Sequence, residues 1–293
     1  MPYPGSGFLC FRENYPARRV CSKQNVSLAA MDFSHQHTRS LPIRLDLPEG
    51  CIEAEIKLPH GPMRLVDFAF TTLGLSSTVA DMGARITANL GRKVSCSKGC
   101  GVCCRQLVPL SPPEAIMLVE LVISMPKDIR ALIQNRFATA VRQLERSVFL
   151  EKLARLQEPS SLSDEDMKAL TKEYFLEQIP CPFLENECCS IYEFRPSRCR
   201  EYLVISPPKH CHDPYTQRID RLPVSIRLSE ALSRMWAEAT QNPPQLIPLI
   251  LALKWSAEHK SQRGIAADGH DMLKTLLFYV SQIATENEHR AQA

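Results

Sequence analysis

Four thiols fall within one short run of this chain, Cys96-Ser97-Lys98-Gly99-Cys100-Gly101-Val102-Cys103-Cys104. A second set lies well downstream: Cys181, Cys188, Cys189, Cys199 and Cys211. Thiolates are soft ligands that select zinc, copper(I) or iron–sulfur clusters. Neither short segment closes a tetrahedral shell alone without strain, so the fold is expected to bring the two sets together. If residues 96–104 were helical, their cysteines at i, i+4, i+7 and i+8 would share one face. Gly99 and Gly101 favour instead a tight loop leading into a helix. Adjacent Cys103 and Cys104 cannot both take ideal angles on one tetrahedral ion. One of them binds a second metal, bridges two metals or points into the core. That favours two sites or a polynuclear centre over a single zinc. Buried free thiols are a poor explanation for so many cysteines in two tight motifs.

The elements that must position these thiols are mostly helical. From Met63 to Leu90 apolar residues recur at helical spacing, with Gly74 and Ser76-Ser77 expected to split the stretch into two helices and Gly91 to cap it. Ser111-Pro112-Pro113-Glu114 reads as a capping box with proline at the first helical position, opening a helix to about Ser124. Capping explains Glu114 more simply than a catalytic carboxylate does. Pro126 opens another helix with Ile129, Leu132, Ile133, Phe137, Val141 and Leu144 on one stripe. Ser163-Asp164-Glu165-Asp166 starts an acidic helix N-terminus. Three helices are expected near the C-terminus, over 229–240, 245–259 and 269–286. Residues 1–62 are rich in Pro, Arg, Ser and His and show little periodicity, apart from short strand-like stretches at 45–47 and 52–58. The expected fold is mainly α: a helical domain with an irregular cysteine-rich metal-binding core and a poorly structured N-terminal extension. Its expected parts are the extension over 1–62, a cysteine-cluster domain over 63–215 and a C-terminal helical region over 216–293. The first thirty residues resemble no folded element, and Met31 or Met63 is a candidate start. His35 and His37 read as solvated, and Cys10, Cys21 and Cys51 as unliganded.

The pattern Cys-x3-Cys-x2-Cys-Cys is followed by Cys181-Pro182-Phe183-Leu184 and then by Cys189-Ser190-Ile191-Tyr192-Glu193-Phe194-Arg195-Pro196-Ser197-Arg198-Cys199-Arg200. Together these resemble the CxxCxxCC family of zinc- or iron-chelating domains, from about Cys96 to about Cys211. Two separate motifs in the right order make the resemblance specific. It implies that Cys96, Cys100, Cys103, Cys104, Cys181, Cys189 and Cys199 bind metal, with Cys211 as an eighth ligand. Cys188 lies outside the family pattern and is a spare. The implied cofactor is zinc or iron, a 4Fe-4S cluster included. Flagellin lysine N-methylases carry a similar cysteine domain, so a cluster-dependent methyltransferase is the alternative function. The family implies chelation rather than one settled reaction.

Arg105, Arg195, Arg198 and Arg200 adjoin the cysteines. They are expected to hydrogen-bond the sulfurs and offset the net charge of −2 that four thiolates leave on a divalent ion. The competing reading is an anionic substrate. His210 and His212 flank Cys211 and are expected to be solvated or hydrogen-bonded rather than ligating. Tyr192 and Tyr202 either pack or cover the site. The spacing of Cys96, Cys100 and Cys103 also occurs in radical S-adenosylmethionine enzymes, but those need repeated strand–helix units and mostly helices follow here. No phosphate-cradling Gly-rich loop, His-Glu-x-x-His or nucleophile elbow is present.

With 293 residues the chain can bury a core without cysteine staples. The N-terminus lacks the basic start and apolar run of a signal peptide. The apolar run Leu249 to Leu253 is far too short to span a bilayer. Clustered, adjacent cysteines without a secretory context point to a reducing cytosol, hence a cytoplasmic protein without a membrane partner. A net charge of +3, spread among acidic residues, argues against nucleic acid as the partner. A zinc module for protein or nucleic-acid contacts is a third reading, and the protein partner is open. The metal ion is the one partner the sequence names.

Overall fold

The computed structural model describes residues 38–47, 50–147, 149–154, 156, 163–224 and 226–292. Expectations for Cys10, Cys21, His35, His37 and the first thirty residues fall outside these. The chain opens with a hairpin of β1 (Thr38–Leu47) and β2 (Gly50–Pro59), paired antiparallel with Leu41 opposite Ile56 and Leu45 opposite Ile52. Alternation explains why it folds here: Leu41, Ile43, Leu45 and Leu47 point to one side, joined by Ile52, Ile56 and Leu58, and all are buried. The expectation of a poorly structured segment up to residue 62 is thus corrected from residue 38 onward. This apolar face lies on the helices, and its residues join the main core.

After β3 (Pro62–Arg64) comes α1 (Leu65–Asn89), one continuous helix where two were expected. Gly74 and Ser76-Ser77 do not break it, because α1 is packed against α6 and the hairpin, and Ser77 Oγ and Thr78 Oγ1 donate to the carbonyls of Leu73 and Gly74 within the helix. Gly91 does end it, at φ +71°. Then β4 (Pro109–Leu110) leads into α2 (Pro112–Ser124), which starts with the expected capping box between Ser111 and Glu114. Next, α3 (Lys127–Arg146) buries Ile133, Phe137, Ala140 and Leu144, but leaves Leu132 42% exposed, off the buried stripe. Two further helices are α4 (Phe149–Ala154) and α5 (Asp164–Leu176), the latter opened by a capping box between Ser163 and Asp166.

The second cysteine segment holds a small hairpin, β5 (Leu184–Glu185) and β6 (Cys188–Cys189), then the short α6 (Ser197–Glu201). Beyond lie α7 (Leu228–Thr240), β7 (Ile247–Pro248), α8 (Ala252–Glu258), β8 (Ala266–Asp268) and α9 (Gly269–Gln292). The expected helix over 245–259 is shortened, because its first residues pair as β7 with β4. β3 pairs with β8 in the same way, so both pairings tie the front of the chain to its end. One buried cluster runs from the hairpin through α1, α2, α7, α8 and α9. A second, smaller one gathers α3, α4, α5 and Leu107. The fold is mainly α with short strands and an irregular cysteine-rich region, as the sequence suggests.

Candidate metal centre

The first motif is a loop. Gly99 takes φ +95°, a left-handed conformation, and Cys100 N–H donates to Ser97 O at 3.1 Å. The chain then tightens into a 3-10 turn, Val102–Arg105, that carries both Cys103 and Cys104. Successive side chains on a 3-10 turn diverge by about 120°. The two adjacent thiols still hydrogen-bond each other, while Cys103 alone of the pair lines a pocket with Cys96, Cys100 and Cys211.

The second motif is clamped onto this turn. Cys181 N–H donates to Cys104 O at 2.7 Å. At the β5–β6 turn, Asn186 and Glu187 both have positive φ, +50° and +61°, as a tight two-residue hairpin demands. Glu187 pays for that backbone with a bidentate ion pair to Arg105, at 2.6 and 3.0 Å. Gly101 is needed where the turn approaches: a Cβ there would lie 2.6 Å from Glu187 O and 2.7 Å from Leu184 Cδ1. Cys188 and Cys189 point to opposite sides of β6. Cys189 faces the other thiols, whereas Cys188 is 5% exposed and disulfide-bonded. That disulfide departs from the expectation of reduced thiols throughout. Cys96, Cys100, Cys103, Cys104, Cys181, Cys189, Cys199 and Cys211 are free thiols.

The free thiols of the two motifs form two groups. Cys96, Cys100, Cys103 and Cys211 line one small pocket with Ser95, Val102, Tyr202, Val204 and Pro208. Cys104, Cys181, Cys189 and Cys199 form the other, each within electrostatic reach of at least one other member. Cys103 stands between the groups, in reach of members of both. Cys51 is exposed on the hairpin and in neither.

Burial raises most of these thiols above the ordinary value of 9.0: Cys96 and Cys181 to about 12, Cys199 well above it, and Cys100, Cys189 and Cys211 in the same direction. Neighbouring thiolates add to the rise. The exception is Cys103, lowered by a hydrogen bond from the Cys104 thiol and by the charge of Arg195. Cys104 is raised accordingly, since its proton serves that bond. Backbone N–H groups favour the thiolates: those of Val204, Val102, Phe183 and Ile191 reach Cys96, Cys100, Cys181 and Cys189. Three of these donors lie two residues after their cysteine, so the turn itself aims them. Packed thiols with aimed backbone donors suit a divalent cation. The sulfurs are not closed into a tight shell. Among the described residues only Asp268, His270 and Asp271 bring three ligand atoms within 4.8 Å of one another, and all three are exposed.

The arginines depart from expectation. Among the described residues no guanidinium hydrogen-bonds a sulfur. Arg105 is taken by Glu187, and Arg195 lies 3.7 Å over the Tyr192 ring with its Nε on Tyr192 O. Arg200 donates to Arg195 O, Glu193 O and Ser77 Oγ. Arg198 is desolvated near Glu201. Arg195 and Arg200 nevertheless favour the Cys189 thiolate through space. His210 Nδ1 contacts Arg218 O at 3.1 Å and His212 is exposed. Tyr202 lines the pocket, whereas Tyr192 serves as a platform for Arg195 and Lys98.

The sequence did not reveal the role of two carboxylates. Glu114 is fully buried; besides capping α2 it accepts from Ser197 N–H at 2.9 Å and so holds the start of α6, which carries Cys199. Glu201, pushed up to about 7 by burial, accepts from Leu228 N–H at 3.0 Å and ties α6 to α7. Only the capping signature at Ser111–Glu114 could have pointed to the first.

The fold is mainly helical and brings the two cysteine motifs together. Residues 95–218 match the CxxCxxCC family model, described as "Putative zinc- or iron-chelating domain". The match spans both motifs and covers less than half of the chain. Neither the curated proteins nor the solved structures contain a significant match.

Proposed function

We propose that the protein binds two zinc or iron ions in two four-thiolate centres. One is held by Cys96, Cys100, Cys103 and Cys211, the other by Cys104, Cys181, Cys189 and Cys199. The supporting observation is that Cys96, Cys100, Cys103 and Cys211 line one pocket while Cys104 lies within electrostatic reach of Cys181 and Cys189 outside it. Four thiolates are a complete shell for zinc and equally a ligand set for iron. Each centre carries a net charge of −2 with a divalent ion, and Arg195, Arg200 and the backbone N–H groups offset it. The ion supplies cross-linking of distant segments and a site for ligand exchange; the chain's residues orient the thiols and keep them apart from water. No carboxylate lines the pocket beside the cysteines, and nothing there favours the methyltransferase alternative.

The test is elemental analysis with an absorption spectrum on protein purified without oxygen. Two ions per chain are expected, and visible absorption assigns iron rather than zinc. Cys100→Ser and Cys199→Ser are each expected to lose one ion and keep the other. A single ion per chain, or loss of both from either variant, overturns the two-centre reading.

A further inference from the structure

We infer that the centre formed by Cys96, Cys100, Cys103 and Cys211 is an exchange site. From it the metal passes to an acceptor bearing thiolates, while the other centre keeps its ion. This rests on the two-centre reading above.

The observation is how differently the two groups are anchored. Cys181, Cys189 and Cys199 have buried residues within three positions, namely Pro182, Phe183, Ile191, Pro196 and Ser197, and Cys104 is tied to them by Cys181 N–H donating to its carbonyl at 2.7 Å. Phe183 packs edge-on against Phe137 of α3 at 5.5 Å, and Cys181 and Cys189 lie on the main core. α6 is bonded to three helices: Ser197 N–H to Glu114 of α2, Arg200 Nη1 to Ser77 of α1 at 2.9 Å, and Glu201 to the start of α7. Withdrawing Cys199 means disturbing all of these.

The other group hangs on surface chain. Ser97 and Lys98 beside Cys96 and Cys100 are exposed, as are Pro207, Lys209, His212 and Asp213 around Cys211. Residues 92–101 have no regular structure; Ser95 N–H to Val204 O at 2.8 Å and Val204 N–H to Cys96 Sγ at 3.4 Å tie them down. Cys211 rides a five-residue 3-10 turn, Pro208–His212, held by His210 N–H to Pro207 O and by His210 Nδ1 with Arg218 O. Cys211 itself is 5% exposed, so the turn has to lift before an outside thiol reaches the metal. Lifting a short surface turn costs far less than opening core-packed elements.

Exchange then runs by substitution. The acceptor's sulfur forms a bond to the metal as the bond to Cys211 breaks. The acceptor thiol's proton passes to Cys211 as that bond breaks, and three further exchanges of the same kind free Cys96, Cys100 and Cys103. No electron changes hands. A soft acceptor is required, because an oxygen-ligand acceptor would not compete with thiolates for such an ion.

The experiment uses the full chain loaded with zinc, whose content is measured first. A chromophoric zinc chelator in excess is added and release followed. Two phases of one ion each are expected, at least about tenfold apart in rate, given the difference in local opening. Cys211→Ser should abolish the fast phase and leave the slow one unchanged. Pro207→Gly, which loosens the turn without touching a thiol, should speed the fast phase and leave zinc content and the slow phase alone. A metal-free peptide with four cysteines should take up one ion, not two. Fewer than two ions at the outset defeats the two-centre reading. Two ions released at one rate, a fast phase that survives Cys211→Ser, or a fast phase unmoved by Pro207→Gly defeats the exchange site.

Discussion

The two thiol groups share a ligand chemistry and even a 3-10 turn, yet they differ in what stands behind them. Behind Cys199 are a buried carboxylate, three helices and a hydrophobic core. Behind Cys211 are a surface turn and a loop. On the proposed reading, the same donor set serves as a structural clasp in one place and as an accessible site in the other. What distinguishes them is the cost of opening the surrounding chain, since the coordination chemistry is the same.

The largest effect should come from cutting one ligand of each group. A structural metal contributes on the order of 10 kcal/mol in small peptides, comparable with the whole net stability of a domain. Cys199→Ser is expected to lower the melting temperature sharply and to expose amides across α6 and the β5–β6 hairpin to hydrogen exchange. Cys100→Ser should confine the loss of protection to residues 92–101 and 207–213. Equal loss everywhere from both variants would erase the distinction between the groups.

Next comes Glu114. Glu114→Ala strips acceptors from the buried N–H groups of Ser111 and Ser197 and should cost roughly 2–4 kcal/mol. The Cys199 centre should loosen or lose its ion while the Cys211 centre holds, and Glu114→Gln should recover part of both. Metal titration with thermal melting reads this directly. If the Cys211 centre weakened as much, Glu114 would be a general stabiliser of the fold and not a support for α6.

Gly101→Ala acts on the contact between the motifs. Its Cβ has no room beside Glu187 O, which is backbone, so the hairpin must back away, at a cost of about 1–3 kcal/mol. Because the turn carries Cys103 and Cys104, both centres should bind more weakly in metal titrations. An effect on only one would show that the shared turn does not couple them.

The last effect is absent at neutral pH. In metal-free protein Cys96 and Cys181 are raised by burial from 9.0 to about 12. A raised acid is favoured in its protonated form by the fold, so this contribution is intact below pH 9 and is lost as pH rises towards 12. Metal-loaded protein should behave in the opposite sense, losing ions as pH falls and protons compete for the thiolates. Chemical denaturation of the two forms across pH checks the crossing of the trends. A metal-free protein whose stability did not fall in alkali would refute it.

The sequence alone determined whatever depends on near neighbours. Capping boxes at Ser111 and Ser163, the stop at Gly91 and the cysteine motifs are all contained in a few consecutive residues, and their physics is local. The paired-motif pattern was enough to expect convergence, and adjacency was enough to favour two sites or a polynuclear centre over a single zinc at Cys103 and Cys104. Tertiary structure decided the rest. Gly74 and the serines look like helix breakers until the packing of α1 against α6 and the hairpin outweighs their weak propensity. The strand pattern before residue 62 becomes a buried face only once α1 and α9 lie against it. The arginines flank cysteines in sequence, but their partners, Glu187, Tyr192 and Ser77, come from elsewhere in the chain or from the turn. Glu114 holds Cys199 across a gap of more than eighty residues. Hydrogen bonds and burial act through space, and spacing along the chain records them only where chain and space coincide.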